Sequence, residues 1–466
     1  MKLNKQLSTA LIVFALIGVL VALLPLFTLP SSKDPQGITL SDRASASLSS
    51  LEVKNSFGSY SVTLEGGKFS CPQLIDLPLS DAEFEQLAES VTGIHALTQI
   101  KQPDDVAALG FDRPTAVATV RYTDASELTL TIGAKLEDAS AYYLRLAEDG
   151  QIYTIEQDAI HYLLADVSVF VELHLAENEP QSSSAIDTLT FSSPAASFTL
   201  SGLSQPTTDG CGITYTHSIF RDGESAFVEP AALESFFPSL STLCASSVVQ
   251  LYPTPEELAS YGIFVSDHST ETALSFSIDG HTTELLIGNL SGDYYYVYKH
   301  GVNAVFALPL TQVTWGDVSF YGLMSRNIAA PTLSSLSHIA VHTPDADYEI
   351  DINGNTATCN GISLSDHTLA DLFALLCSVR AEYELTDPPE IIAPELTIVY
   401  TFLPDAAAKA GAAPKTLTLR LIPYGLRRDA LELDGVARYA VRSTYAAKVN
   451  ETLLSLRDGM EISPIW

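Results

Sequence analysis

The sequence predicts an α+β protein: one N-terminal transmembrane helix followed by repeated units of mostly antiparallel sheet with packed helices. Three observations predict it. No charged residue lies between Gln6 and Ser32. Three later segments alternate polar and apolar residues with the period of a strand. Behind each comes a stretch whose apolar residues recur at helical spacing.

Leu7 to Leu29 is almost continuously Leu, Ile, Val, Ala and Phe, and about 20 apolar residues suffice to cross the hydrocarbon core. Lys2 and Lys5 precede the stretch, which by the positive-inside rule keeps the N-terminus cytoplasmic. A cleaved signal peptide is the rival reading, but its apolar region usually spans about 7–15 residues and closes on a small-x-small site. Phe27-Thr28-Leu29-Pro30 is a poor site, Ala44-Ser45-Ala46 lies far downstream, and no Cys follows to accept a lipid. Residues 1–30 therefore read as a cytoplasmic tip and uncleaved anchor. The expected location is the cell membrane, single-pass, with an extracytoplasmic C-terminal portion.

Fifty-six acidic side chains against 24 basic ones give a formal net charge of −32. Such a surface repels nucleic acid and anionic headgroups, so neither is an expected partner. Charged residues make up only 17% of the chain, beside 20 Tyr and 19 Phe, enough apolar material for a sizeable core.

Residues 31–50, containing Ser, Asp and Pro without apolar periodicity, read as a linker. Three units are then expected, at 51–180, 181–332 and 333–466, the third divergent. Each opens with an alternating hairpin: Asn55–Leu64, Thr188–Leu200 and His338–Ile350. A helix follows each. Phe84, Leu87, Val91 and Ile94 share one face of the first, and Ser80 with Glu83 reads as its capping box. Its counterparts are Pro230–Leu243 and Asp366–Val379, the latter burying Leu369, Leu372, Phe373 and Leu376. Then come matching strands. The first unit has Leu109-Gly110-Phe111, Leu130-Thr-Ile-Gly133 and Ala141-Tyr-Tyr-Leu144; the second has Tyr261-Gly262-Ile263, Leu285-Leu-Ile-Gly288 and Tyr294-Tyr-Tyr-Val297. The third offers Leu419-Arg-Leu-Ile-Pro-Tyr-Gly425 and Arg438-Tyr-Ala-Val441. Gly133, Gly288 and Gly425 fall 155 and 137 residues apart, the period of a small domain rather than a solenoid. Closing helices are expected at Gln157–Leu164, after Leu308, and at Ala446–Leu456.

The Leu/Tyr-Gly element, the strand ending in Ile-Gly, the Tyr-Tyr-Val-like strand and Gln151-Ile-Tyr-Thr-Ile155 together resemble the domain of unknown function 4340 family. The resemblance covers about residues 60–175 and 215–330, and the third unit in outline. It implies a bacterial envelope protein with an N-terminal anchor, of a kind that often accompanies an ABC-type export or gliding-motility-like transport system. Leu109 stands where the family usually has Tyr, and Pro114 follows Phe111 where the second unit has Asp267. The family brings no established catalytic residues, and none is transferred.

Searches for chemistry return little. There is no Gly-x-Ser-x-Gly elbow, since Gly202-Leu-Ser-Gln-Pro206 ends in the wrong residue, and no Ser-x-x-Lys pair or His-Glu-x-x-His. Gly67-Lys68 has Val62 where a phosphate-binding loop needs Gly. His338 and His342 lie in a strand-period segment and read as surface or half-buried residues rather than metal ligands. Asp351-Ile-Asn353-Gly-Asn355 begins like a calcium loop, but Thr356 and Ile362 occupy the positions of the required Gly and Glu, so it reads as a hairpin turn. Tyr294, Tyr295, Tyr296 and Tyr298 suit sheet packing, with a sugar or peptide groove as the alternative. Glu137-Asp138 and Asp104-Asp105 read as loop solubility rather than glycosidase carboxylates. No catalytic, cofactor or metal residue is assigned.

The five cysteines are Cys71, Cys211, Cys244, Cys359 and Cys377. Cys211-Gly212-Ile213 and Cys359-Asn360-Gly361-Ile362 follow a hairpin in units two and three; Leu243-Cys244 and Leu376-Cys377 close the long helix. Partners that appear together in two units suggest Cys211–Cys244 and Cys359–Cys377 disulfides with Cys71 free; the alternative is five thiols. The expected function is a non-enzymatic, membrane-anchored accessory or scaffold protein that contacts a transporter or other envelope protein. A cell-wall glycan or peptide binding module, or an envelope hydrolase with an unrecognised site, are the alternatives.

Overall fold

The computed structural model describes residues 37–460 and 462, apart from 102–105, 138–139, 149, 177–181, 194–196, 266–271, 314, 316–317, 391 and 405–414. The expected anchor at 1–30 lies outside the described residues, as do Asp104, Asp105, Asp138 and Asp267. Among the described residues no helix is long and apolar enough to cross a membrane.

The described chain is mostly antiparallel sheet with few helices, as the alternation predicts. Residues up to Glu172 form one compact unit and those from Leu173 a second. In the first, one large sheet runs Lys68–Ser70, Gly58–Glu65, Leu48–Asn55, Ala116–Tyr122, Glu127–Lys135, Ala141–Leu146, Ile152–Glu156, Thr98–Ile100. The second unit contains two sheets. One runs Glu224–Phe227, Thr214–Arg221, Ser197–Thr208, Ile186–Ser192, Thr272–Ile278, His281–Ser291, Tyr294–Lys299, Ala304–Pro309, Ser247–Leu251. The other runs Ile362–Ser363, Thr356–Cys359, Asp347–Asn353, Leu336–His342, Leu396–Phe402, Thr416–Pro423, Arg428–Leu433, Val436–Arg442, Tyr383–Glu384. The winding is the same each time. The opening strand sits mid-sheet, a meander leads to one edge, and a helical excursion reaches the opposite edge before the chain returns to the centre.

The repeat extends to single atoms. Gly133 and Gly288 lie in the same strand of their sheets, each at a break in register, between Ile132 and Lys135 and between Ile287 and Leu290. At each, the carbonyl oxygen of Leu109 or Tyr261 occupies the space a Cβ would take, with the Phe111 ring or Ile263 Cγ1 behind it. The glycine inside each pressing element, Gly110 or Gly262, has φ of 79° or 76°, a left-handed turn that glycine adopts without steric cost. Gly425 differs. It lies in the turn after Thr416–Pro423 with φ 132° and open space around it, because no Leu-Gly-Phe element presses there.

Helix Asp81–Thr92 buries Phe84, Leu87 and Val91, and Ser80 Oγ accepts the Glu83 amide at 3.4 Å. Only half of the expected capping box forms, because the Glu83 carboxylate accepts from the Tyr162 hydroxyl at 2.6 Å instead. The counterpart expected over Pro230–Leu243 is two short helices, Pro230–Phe236 and Pro238–Ser241. Pro238 has no amide hydrogen to continue the first helix and begins the second. In the third repeat the helix spans Asp366–Cys377 and buries Leu369, Leu372, Phe373 and Leu376. The closing helices are His161–Leu164 behind a 3-10 turn, a 3-10 turn at Leu310–Gln312, and Thr444–Arg457. Residues 37–50 are not a free linker: Ile38–Thr39 pairs with His95–Ala96, and Leu48, fully buried, opens the first strand of the sheet. Main-chain pairing there needs no apolar stripe, so periodicity misses it.

Asp429 is 1% exposed on strand Arg428–Leu433, and its Oδ2 finds no partner among the described residues. Burial, with the Glu395 charge adding to it, raises its carboxyl to about 6. A carboxyl whose folded pKa is raised contributes stability that is fully present below its unfolded pKa, near 4, and lost as pH rises through about 6. Asp429→Asn is therefore expected to stabilise the protein by about 1–2 kcal/mol near neutral pH and to flatten that fall. Thermal unfolding across a pH series checks it, and an unchanged slope would place the effect elsewhere.

Candidate functional site

Two Asp-Gly hairpins line one cleft in the second unit. Asp222 and Gly223 have φ of 45° and 79°, and Asp434 and Gly435 have φ of 45° and 87°. Positive φ at both central residues is the two-residue turn whose twist suits flanking strands. The first hairpin joins Thr214–Arg221 to the edge strand Glu224–Phe227; the second joins Arg428–Leu433 to Val436–Arg442. The cleft has a volume of about 720 Å³, with Phe220, Phe227, Met324 and Ile328 contributed by one repeat and Leu431, Leu433 and Val436 by the next. Its rim is apolar and open: Phe220 is 45% exposed and Val436 50%.

The charges at the cleft are spent on one another. Glu224 accepts from Arg221 at 3.0 Å, from Arg438 at 2.6 Å, and from the Tyr439 hydroxyl. Arg221 also pairs with Glu384 and lies over the Phe320 ring, 4.4 Å from its centroid. Burial pushes the Glu224 carboxyl up, but the bonds from Tyr439, Arg221 and Arg438 outweigh it and hold the group below the usual carboxylate range. The Tyr439 hydroxyl is held protonated by burial and then by the Glu224 carboxylate. Beside the cleft, Asp209 Oδ2 accepts from the Tyr215 hydroxyl at 2.6 Å and from Asn327 Nδ2 at 3.3 Å. Ser325 Oγ lies 2.9 Å from the same tyrosine oxygen. Burial, reinforced by Asp209, raises the Tyr215 hydroxyl far above its ordinary value. Among the described residues no histidine or cysteine lines the cleft; of its two carboxylates, Glu224 accepts from three donors and Asp434 accepts the Thr418 amide at 2.8 Å. An open cleft with this apolar lining suits retention of an apolar segment.

The residues weighed from sequence fall elsewhere. His338 contacts Glu349 at 2.6 Å and Asp351 at 3.0 Å, and His342 contacts Asp347 at 2.8 Å, as cross-strand surface pairs. Asn353–Thr356 closes a two-residue hairpin with Gly354 at φ 64°. Tyr296 and Tyr298 pack with Tyr261 against Leu258, Ile263, Leu286 and Val305, and Tyr294 meets Tyr296 edge-on at 5.5 Å. Among the described residues no disulfide joins either expected pair. The cysteine contact that forms runs between repeats, from Cys211 to Cys377. Cys377 buries its thiol against the turn that carries Cys211, whose Sγ lies 3.2 Å from the Cys377 carbonyl oxygen. Cys244 sits in an isolated bridge with His174, and burial alone raises the Cys359 thiol. The cleft itself was missed. Its local signal, Asp-Gly between alternating segments, stands in the sequence at 222–223 and 434–435.

The family model for a domain of unknown function, DUF4340, matches residues 71–264 and again residues 226–372. The chain belongs to the DUF4340 family. No curated protein and no solved structure matches it. The first DUF4340 match runs from Cys71 to just past Ile263, and the second begins in the edge strand Glu224–Phe227 and ends in helix Asp366–Cys377. Each match thus spans from one repeat into the next, longer than the expected 60–175 and 215–330. The two matches bear out the internal repeat.

Proposed function

We propose that this DUF4340 protein is a non-enzymatic accessory protein of the cell envelope. In this reading residues 1–30 anchor it in the membrane, the remainder lies outside the cytoplasm, and the second unit retains an apolar segment of an envelope partner, such as a component of the transport systems that the family resemblance implies. The observation that carries it is the open apolar cleft whose charged groups are neutralised internally. An apolar rim of this kind marks an interaction site, and the carboxylate best placed for chemistry is committed to three donors. The almost continuously apolar, uncharged stretch from Leu7 to Leu29 supports the anchor. The half-buried tyrosines pack on the core, which favours a protein segment over a glycan as the ligand.

A photoreactive residue at Val436 tests it in intact cells. The expected result is a discrete adduct with an integral membrane or exported protein, lost when Leu431→Asp places an unpaired charge in the cleft. Adducts to cytoplasmic proteins would overturn the topology, and adducts indifferent to Leu431→Asp would overturn the cleft as the site.

A further inference from the structure

The turn Asp209–Gly212 is built to press on the end of a helix in the next repeat. Asp209 Oδ1 accepts the amides of Cys211 and Ile213, both at 2.9 Å, which fixes the turn from within. The Gly210 amide donates to the Ala330 carbonyl at 2.9 Å. A Cβ on Gly210 would meet the Pro331 carbonyl oxygen, the Cys377 sulfur at 2.9 Å and the Phe373 ring at 3.1 Å. The turn therefore touches the last residue of helix Asp366–Cys377 with no room for a side chain. Cys211, next along, has its Sγ 3.2 Å from the carbonyl oxygen of Cys377. One of these thiols is exposed and the other is buried.

We infer that Cys211 and Cys377 form a covalent modification site, a disulfide that joins the second repeat to the third when an oxidant reaches the exposed thiol. The oxidant is a disulfide, either oxidised glutathione or an oxidised dithiol protein. The Cys211 thiolate attacks one sulfur of that disulfide, forming a mixed disulfide and releasing one thiolate of the oxidant. The Cys377 thiolate then attacks the Cys211 sulfur and releases the second. Two electrons pass to the oxidant and two protons leave the cysteines. The order follows from exposure, since the buried sulfur is reached only by its neighbour.

Arg380 lies close enough to favour the Cys211 thiolate, but burial and Asp209 prevail and push that thiol up to about 11. Burial, then Cys211 and Asp209, raises Cys377 as well. Uncatalysed closure is therefore slow at neutral pH and faster in mild alkali, where the thiolate fraction grows. The two cysteines lie 166 positions apart, so the bond closes a long loop and constrains the unfolded chain strongly. This pairing depends on neither the cleft nor its occupant.

The full chain, purified in detergent and incubated with oxidised glutathione in mild alkali, provides the test. Peptide mapping without reduction is expected to recover Cys211 linked to Cys377, with a rise in Tm of about 5–10 °C that reduction reverses. Cys211→Ser, at an exposed position, is expected to abolish both. Cys377→Ser is expected to stop at the glutathione adduct on Cys211. A wild-type chain that stops at that adduct, or one that links Cys211 to Cys244 or Cys359 to Cys377, would overturn the inference.

Discussion

Gly288→Ala and Gly133→Ala are each expected to destabilise their own unit by about 3–5 kcal/mol, the upper tail of single-substitution effects. The cause is collision with backbone. At Gly288 the new methyl would overlap the Tyr261 carbonyl oxygen, with Ile263 Cγ1 at 2.8 Å behind it; at Gly133 it would overlap the Leu109 carbonyl oxygen, with the Phe111 ring at 3.0 Å. A long side chain can rotate away, but a carbonyl moves only with its strand or turn. In the second repeat the Tyr261 oxygen also accepts the Asn289 amide at 2.7 Å, so displacement removes a hydrogen bond beside the collision. Close-packed interiors tolerate such insertion poorly. Gly425→Ala is the internal control. That glycine sits at φ 132° in open space, so only backbone strain of about 1–2 kcal/mol is expected. Urea unfolding of the full chain, read at probes in each unit, separates the cases. Equal losses at Gly288 and Gly425 would mean that the pressing element is not what the glycine serves.

Those glycines also mark how far the sequence could be read. Alternation locates the strands because side chains on half-buried sheets must alternate, and Ile339, Val341, Tyr348 and Ile350 are buried as that pattern requires. Helix Asp366–Cys377 announces itself through Ser365, whose hydroxyl accepts the Thr368 amide at 3.2 Å. Local signals fail where one breaker outweighs a period, as at Pro238, or where pairing is carried by main chain alone, as at Ile38–Thr39. The candidate site was beyond local reading. Glu224 and Tyr439 meet across 215 positions, and Cys211 and Cys377 across 166. Repeat logic aligned cysteines that occupy like places, while the fold brings together unlike places in successive repeats. A sequence read unit by unit contains no term for contacts between units.

The meeting of Glu224 with its three donors gives the second large effect. Glu224→Ala is expected to cost about 2 kcal/mol at neutral pH, because removing the shared acceptor of a half-buried network strands its donors. The cost is less than in a fully buried pair since water reaches Arg438. Arg221 and the Tyr439 hydroxyl would lose the acceptor that compensates their partial burial, and Arg221 would retain Glu384 and the Phe320 ring. Arg438, 40% exposed, would lose an ion pair that water partly replaces. The loss depends on pH in a definite direction. Glu224 titrates below its ordinary value in the folded protein, so its contribution is present above the unfolded pKa, roughly 4.3, and is lost as pH falls through the folded value. The Tyr439 hydroxyl is raised and stays protonated throughout this window, so it adds no slope of its own. Glu224→Gln separates charge from shape: the amide oxygen still accepts one bond, while its NH2 group faces the remaining donors. It is expected to lose about half as much as alanine. Denaturant unfolding of wild type and both variants at neutral pH and near pH 3 reads these differences. The gap between wild type and Glu224→Ala should narrow in acid, as the wild-type carboxylate gains its proton and the ion pairs weaken. A gap of unchanged size at both pH values would assign the residue to packing, and the charge network at the cleft would then be incidental to holding the two repeats together.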